Sequence, residues 1–317
     1  YHLVCESGER LAAVSGKLLH SAASALDLPA VGDFVWIDAA DTPDPAVIHG
    51  ILPRKSVFTR KAAGSAYSGQ VVAANIDTVF LCMALNSDFN LRRLERYLTI
   101  AWNSGAVPVV VLTKSDLCAD LPQHLKAVDA VAAGADVLVT SGLLPDGFRQ
   151  LLPYLRPGET AALMGSSGTG KSTLINRLLG EDLLATGGLR GDGRGRHTTT
   201  RRQLLLLPCG GMVIDTPGMR ELGLWDDSPG LDKSFADIDT LSSQCHFRDC
   251  THAGEPGCAV RAALEGGTLS PERWASFQKL RAEALFTEDN SAYLAEKRQK
   301  FKAIAKINKS SHRKEEW

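Results

Sequence analysis

The residues best suited to chemistry lie in one stretch, Gly165, Ser166, Ser167, Gly168, Thr169, Gly170, Lys171, Ser172 and Thr173, which fits GxxxxGK[ST]. Glycines at these intervals let successive backbone N–H groups turn inward and cradle an anionic phosphate chain at a helix N-terminus. Lys171 is placed to reach the β- and γ-phosphates as a catalytic cation, and the Ser172 hydroxyl to ligate Mg²⁺. The flanks agree: apolar Ala161 to Met164 reads as a buried strand, and Thr173 to Leu179 carries helical spacing to a stop at Gly180.

A phosphate loop does not by itself select a base. Thr113-Lys114-Ser115-Asp116 follows an apolar run and resembles the [NT]KxD guanine motif of GTPases. A carboxylate at Asp116 accepts from guanine N1–H and N2–H₂, two donors that adenine does not present together, and an unpaired buried acceptor discriminates strongly. Lys114 is expected along the base. Thr113 stands where many GTPases carry Asn, so one side-chain hydrogen bond there is expected to be weaker. Thr140-Ser141-Gly142 ends the next strand, where backbone N–H groups approach guanine O6, which marks Ser141. Asp215-Thr216-Pro217-Gly218 fits DxxG: Asp215 holds Mg²⁺ through a bound water, and the Gly218 N–H meets the γ-phosphate.

Hydrolysis needs an oriented water. The residue after DxxG, often a water-positioning Gln, is Met219, whose thioether cannot orient water, so intrinsic turnover is expected to be slow. His197 is the best substitute by chemistry, in a Gly- and Arg-rich loop suited to a switch. Beside it, either Thr198 or Thr199 completes the Mg²⁺ shell. Arg194, Arg196 and Arg220 are cations for transition-state charge or for the phosphates of a bound nucleic acid.

At 317 residues and 44% hydrophobic, the chain is expected to fold as two or three domains with real cores. A net charge of −1 argues against a uniformly basic nucleic-acid binder. The apolar runs Val79 to Leu85 and Val107 to Leu112 are strand-length, far short of a membrane span. The first residue is Tyr1 and not Met, and Tyr1 to Cys5 lacks a signal peptide's basic start and apolar core, so the N-terminus reads as trimmed. An odd, uneven set of seven cysteines points to a reduced, cytoplasmic protein with one metal site.

Residues 1–60 show short alternating segments at Leu11 to Val14, Asp33 to Ile37 and Ala46 to Leu52, which predicts an antiparallel barrel, an OB-fold first and an SH3-like barrel second. Lys17, His20, Arg54, Lys55, Arg60 and Lys61 are candidates for an RNA-facing surface. Residues 61–70 read as a linker. Residues 71–230 alternate strands and helices: helices are expected from Leu91 to Trp102 with Asn90 as cap and Gly105 as stop, from Leu121 to Ala133 and from Phe148 to Leu155, and a hairpin at Pro208 to Gly211. The class is an α/β P-loop domain with one antiparallel pair. Its motifs run in permuted order, Asp116 before Lys171, which a parallel sheet tolerates because domain termini lie close together at the surface.

Residues 231–317 form a cysteine/histidine module with helices and a basic tail. Cys245, His246, Cys250, His252 and Cys258 crowd one loop-rich stretch, and three thiolates with one imidazole make a closed structural Zn²⁺ site. The tail, Lys297 to Lys314, is either an rRNA-wrapping segment or a solvated helix.

The permuted order, Gly193-Arg194-Gly195-Arg196-His197-Thr198-Thr199-Thr200, Asp215 to Glu221 and the cysteine cluster resemble the circularly permuted, small-ribosomal-subunit-dependent GTPases of the RsgA family. The likeness extends to Val14-Ser15-Gly16-Lys17-Leu18, Pro53-Arg54-Lys55-Ser56 and Phe89 to Tyr97. It implies an OB-fold, a permuted GTPase domain and a zinc domain that bind the 30S subunit and its 16S rRNA late in maturation. The family's CxxxxCxHxxxxxC pattern implies Cys245, Cys250, His252 and Cys258 as ligands of one Zn²⁺, with His246 outside. The resemblance also puts the proposed catalytic histidine at His197. The expected protein is a cytoplasmic monomer that binds GTP and GDP with Mg²⁺ and has no membrane contact. Two other classes are an RNA-binding assembly factor for which GTP is only a ligand, and an ATPase or small-molecule kinase, against which Asp116 argues.

Overall fold

The alternating segments of the N-terminal region pair into a sheet of β1 (His2–Cys5), β2 (Gly8–Val14), β3 (Val35–Ile37) and β4 (Ala46–Ile51), in the order β1-β2-β4-β3. The computed structural model describes residues 1–6, 8–38, 45–61, 69–132, 134–144, 146–181, 203–215 and 229–285. The sheet curls into a half-barrel, with β2 and β4 parallel and the outer pairs antiparallel. Ala12, Ala46 and Ile48 form its small core, against which Leu18 packs from α1 (Gly16–Ser21), a helix capped by the Ser15 hydroxyl. β1 carries no pattern in the sequence; it is half-buried on one face only and owes its existence to pairing with β2.

Three residues expected on an RNA-facing surface have protein partners. Arg54 forks Asp33 at 2.7 Å through Nε and Nη2, and also donates to the carbonyls of Leu26 and Leu28 at 2.7 and 2.9 Å. The Asp33 side chain is 1% exposed, so this pair holds the Ala25–Asp27 turn against the chain before β5. Lys55 Nζ lies 3.3 Å from Asp77, and Arg60 Nη2 lies 3.4 Å from Gln70.

β5 (Val57–Lys61) and β6 (Gly69–Ala74) form an antiparallel ribbon. Lys61 and Gly69 are ladder partners, so both ends of the expected linker are strand; residues 62–68 lie outside the described residues. The small polar composition there gave no alternation to read, because backbone pairing specifies the ribbon's end. Asn75 follows, its amide donating to Gly32 O and its carbonyl accepting from Lys55 N, both at 2.9 Å, which fastens the N-terminal sheet to the next unit.

That unit contains β7 (Thr78–Ala84), α2 (Leu91–Ser104), β8 (Val107–Thr113), α3 (Leu121–Asp129), β9 (Asp136–Val139), β10 (Thr160–Met164), α4 (Lys171–Leu179), β11 (Gln203–Leu206) and β12 (Met212–Asp215). The strands lie in the order β11-β12-β10-β7-β8-β9, all parallel except β11 against β12. β7 is buried along its whole length, as a central parallel strand must be. Asn90 caps α2 and Gly105 ends it in the left-handed region, as expected. Helix α3 stops at Asp129, short of the expected Ala133. The expected helix from Phe148 is a 3-10 segment, Arg149–Tyr154, because Pro153 cannot donate the i to i−4 bond of an α-helix. The hairpin at Pro208 to Gly211 forms, with Leu207 N donating to Gly211 O at 2.9 Å.

The remaining chain folds as α5 (Pro229–Ser234), α6 (Ala236–Ser243), α7 (Ala259–Glu265) and α8 (271–285). Leu231, Phe235, Ile238, Val260 and Leu280 share one core with Leu94, Tyr97, Leu98 and Ala101 of α2, so the core is continuous across residue 230. Gly230 permits the approach: its N–H donates to Asn103 Oδ1 at 2.7 Å, and a Cβ there would lie 2.4 Å from both that oxygen and Thr99 O. Arg273 of α8 lies over the Phe235 ring at 4.7 Å and bonds Glu95 of α2 at 2.9 Å and Asp237 of α6 at 2.6 and 2.7 Å. Burial works to lower the Arg273 pKa, but the hydrogen bonds and charges of Asp237 and Glu95 outweigh it and keep the guanidinium charged.

Replacing Arg54 with Met is expected to destabilise the N-terminal sheet by about 3 kcal/mol, since it leaves the buried Asp33 carboxylate without its cation. Hydrogen exchange should quicken in β2, β3 and β4 and stay unchanged in β7 to β10.

Candidate nucleotide site and metal centre

The phosphate loop leaves β10 at Met164 and enters α4 at Lys171. Gly165 is required at the exit: a Cβ there would lie 2.4 Å from the Cys82 carbonyl of β7. The Lys171 ammonium bonds the carbonyls of Gly165 at 2.9 Å and Ser166 at 2.6 Å, and the Thr169 hydroxyl lies 3.4 Å away. The loop's own carbonyls thus gather its cation at the start of α4. Cys82 lies in the core beneath; burial pushes its thiol up to about 12 against the pull of Lys171, so it stays protonated.

Asp215 ends β12, the strand next to β10. Burial raises its carboxyl pKa and the charge of Lys171 lowers it, the signature of an acid that a cation beside it would relieve. Ser172 stands in the first turn of α4, Thr173 follows, and Ser167 and Gly168 complete the loop between them and Ser166. A hydroxyl and a carboxylate are hard oxygen donors that suit Mg²⁺, which keeps several of its waters.

On the base side, Thr113 ends β8 and is 2% exposed. Its hydroxyl donates to Thr169 O at 2.6 Å and lies 3.4 Å from Met83 O. Where sequence reading expected a weaker bond, Thr113 makes a short one to the phosphate loop. Lys114 adopts φ +56° and opens a 3-10 turn, Ser115–Leu117, that carries Asp116. The Asp116 carboxylate accepts from the Ser141 hydroxyl just beyond β9, and Ser141 is 1% exposed. Ser141, expected to act through its backbone, also holds the Asp116 carboxylate with its side chain. Ser166 donates to Asp88, a residue the sequence did not single out.

Described structure therefore brings together Thr113, Lys114, Asp116, Ser141, Gly165 to Thr173 and Asp215. His197, Thr198, Thr199 and Gly218 lie outside the described residues, as do Met219, Arg194, Arg196, Arg220 and the basic tail.

Cys245, Cys250, His252 and Cys258 offer ligand atoms all within 4.8 Å of one another. His252 Nδ1 lies 3.6 Å from Cys245 Sγ and 3.4 Å from Cys258 Sγ, and the two sulfurs are 3.9 Å apart. A tetrahedron with metal–sulfur bonds of about 2.3 Å has edges of about 3.8 Å, so this donor set fits a four-coordinate metal. The other imidazole nitrogen faces the Ser242 hydroxyl at 3.4 Å, and the ring stands edge-on to Trp274 at 5.6 Å. His246 stands apart from the four, its ring against Phe247 at 4.7 Å. Glu255 ties the ligand loop together by accepting from Thr251 N and Oγ1 and from Ala253 N and Gly254 N at 2.5 to 3.0 Å; these bonds hold its carboxyl well below the usual range.

A family model described as RsgA GTPase matches residues 51–225. The chain is 53% identical over 295 residues to Small ribosomal subunit biogenesis GTPase RsgA 2 of Lactiplantibacillus plantarum, covering 93% of this chain and 83% of that protein. It is 49% identical over 296 residues to Small ribosomal subunit biogenesis GTPase RsgA of Opitutus terrae, covering 90% and 80%. Among solved structures, YjeQ from Thermotoga maritima superposes with a TM-score of 0.61 at 27% identity, over 88% of this chain and 92% of that one. YloQ, described as a circularly permuted GTPase, shares the fold with a TM-score of 0.59 at 23% identity, over 91% of each chain.

Thr113→Val keeps the side-chain volume and removes the bond to Thr169; binding of GTP and GDP is expected to weaken alike by about tenfold in a fluorescent-analogue titration. The wild-type chain is expected to carry one equivalent of Zn²⁺ by elemental analysis. Cys250→Ser should lose it and expose α7 and α8 to protease, with Zn²⁺ stripping by a chelator doing the same.

Proposed function

The chain belongs to the RsgA GTPase family, and on that premise we propose that it hydrolyses GTP as a late maturation factor of the 30S ribosomal subunit. The observation that carries the reading is the bond from Thr113 to Thr169, which joins the base-reading segment with Asp116 to the phosphate loop in one rigid site. An adenine nucleotide would leave Asp116 facing an acceptor at N1, whereas guanine offers two donors.

In this reading Lys171 turns from the loop carbonyls to the β- and γ-phosphates, and backbone N–H groups from Gly165 to Thr173 line the phosphate chain. Ser172 and Asp215 would hold Mg²⁺, with Thr198 or Thr199 completing the shell, where a bound ion would supply positive charge for the phosphate oxygens. The Gly218 N–H receives the γ-phosphate. His197 orients the attacking water in place of the missing glutamine, and docking on the subunit orders its loop, so turnover awaits the partner. Cys245, Cys250, His252 and Cys258 hold one structural Zn²⁺, with no ligand position left for catalysis.

The division of labour follows the chain: residues 1–60 and the helices beyond 231 contact 16S rRNA, and residues 71–230 bind GTP and GDP. The protein works as a monomer in the cytoplasm. Among the described residues no helix is long and apolar enough to cross a membrane.

The decisive experiment measures phosphate release from GTP and from ATP with and without 30S subunits. GTP turnover should be slow alone and at least tenfold faster with subunits, and ATP should be inert. His197→Ala should retain GTP binding and lose the stimulation. Unchanged stimulation in that variant would remove His197 from the mechanism.

A further inference from the structure

Helix α2 meets the phosphate loop at one end and the C-terminal helices along its side. At its start Arg93 donates to Asp88 Oδ1 at 2.9 Å and to the Asp88 carbonyl at 2.7 Å. The second carboxylate oxygen of Asp88 accepts the Ser166 hydroxyl. Ser166 is the residue whose carbonyl holds the Lys171 ammonium at 2.6 Å and the Thr169 hydroxyl at 3.0 Å. Moving Asp88 therefore moves the loop residue that sets where the phosphate-binding cation sits.

The side of α2 is bound just as specifically. Arg96 forks Glu283 of α8 at 2.6 and 2.7 Å. Glu95, with no exposed side-chain surface, takes Arg92 at 2.5 Å and Arg273 at 2.9 Å on one oxygen. Arg273 reaches on to Asp237 at 2.6 Å and to the Ser234 carbonyl at 3.0 Å. Sliding the C-terminal helices past α2 would take Arg273 from the buried Glu95 carboxylate, leaving it Arg92 alone, and would part Arg96 from Glu283, so the helices and α2 are held in one register. A helix of this length is a rod of about 21 Å, stiff enough to carry displacement from that seam to Arg93.

We propose that Asp88 is a positioning residue for the phosphate loop, acting through Ser166, and that α2 makes its placement depend on the C-terminal Cys/His domain. The proposal deepens the GTPase reading and rests on it: what the C-terminal domain docks on changes the nucleotide site through Arg93 and Asp88. By linkage, bound nucleotide changes the affinity of that docking by the same factor.

Two sets of full-chain variants test the two halves. In a mutant cycle of Asp88→Ala and Ser166→Ala, each single change should weaken binding of a fluorescent GTP analogue about tenfold and the double change no further. Asp88→Asn, which keeps an acceptor, should recover binding to within threefold of wild type. Additive losses, or wild-type affinity in Asp88→Ala, would overturn the positioning role. In the second set, Arg96→Glu and Glu283→Arg should each leave GTP hydrolysis without subunits within twofold and cut 30S stimulation at least fivefold. The charge-swapped double variant should restore stimulation, which separates a broken seam from a misfolded chain. Full stimulation in either single variant, or none in the swap, would overturn the coupling. Wild type unresponsive to 30S subunits would sink the functional reading instead, and the Asp88 and Ser166 cycle would still decide the positioning role.

Discussion

A phosphate-binding loop must hold its backbone N–H groups inward without help from a regular ladder, and everything near this site answers to that requirement. Three contacts from distant chain carry it. Thr113 bonds Thr169 across a separation of 56 residues, Asp88 takes the Ser166 hydroxyl across 78, and Cys82 O closes on Gly165 so tightly that no Cβ fits. Each comes from the C-terminal end of β7 or β8, or from the loop that follows. The parallel sheet brings those ends to one edge, and the loop inherits its shape from that geometry.

The same logic explains why the C-terminal helices are part of the nucleotide domain's core. Phe235 has no exposed surface, and Leu231 and Ile238 pack with Leu94 and Leu98 of α2. Apolar burial supplies the attraction, which is non-directional, and the ion cluster around Glu95 supplies the register. A buried carboxylate held by two guanidinium groups tolerates one arrangement. The Cys/His loop between α6 and α7 is thereby joined, through Arg273 and Asp237, to the helix whose Arg93 holds Asp88.

Where function demands residue types at fixed short spacing, the chain could be read directly. Gly165 to Thr173, Thr113 to Asp116 and the cysteines at 245, 250 and 258 declared their chemistry because each set lies within a few residues. Long apolar runs such as β7 and β8 were equally plain. What stayed hidden depends on partners far along the chain. The Arg273 bond to Glu95 spans 178 residues, and nothing local marks either one as buried. Arg54 and Lys55 are adjacent and both basic, yet the first is locked onto Asp33 and the second is largely exposed. β1 and the ends of β5 and β6 exist by pairing and not by pattern. In Ser141 the motif pointed to the backbone, while the side chain's grip on Asp116 waited on β8 and β9 lying side by side.

Permutation gives this arrangement a consequence for assembly. β7, α2 and β8 come early and lead into the turn that carries Asp116, yet α2 buries its outer face only when residues 229–285 arrive. Until then Leu94 and Leu98 lack part of their core, and Glu95, paired with Arg92 of its own helix, lacks its second guanidinium in an incomplete apolar surface. Contacts of such long separation close late in folding, after loop-closure entropy has been met. The bonds from Arg93 to Asp88 and from Ser166 to Asp88 lie at the start of the same helix whose side those late contacts cover.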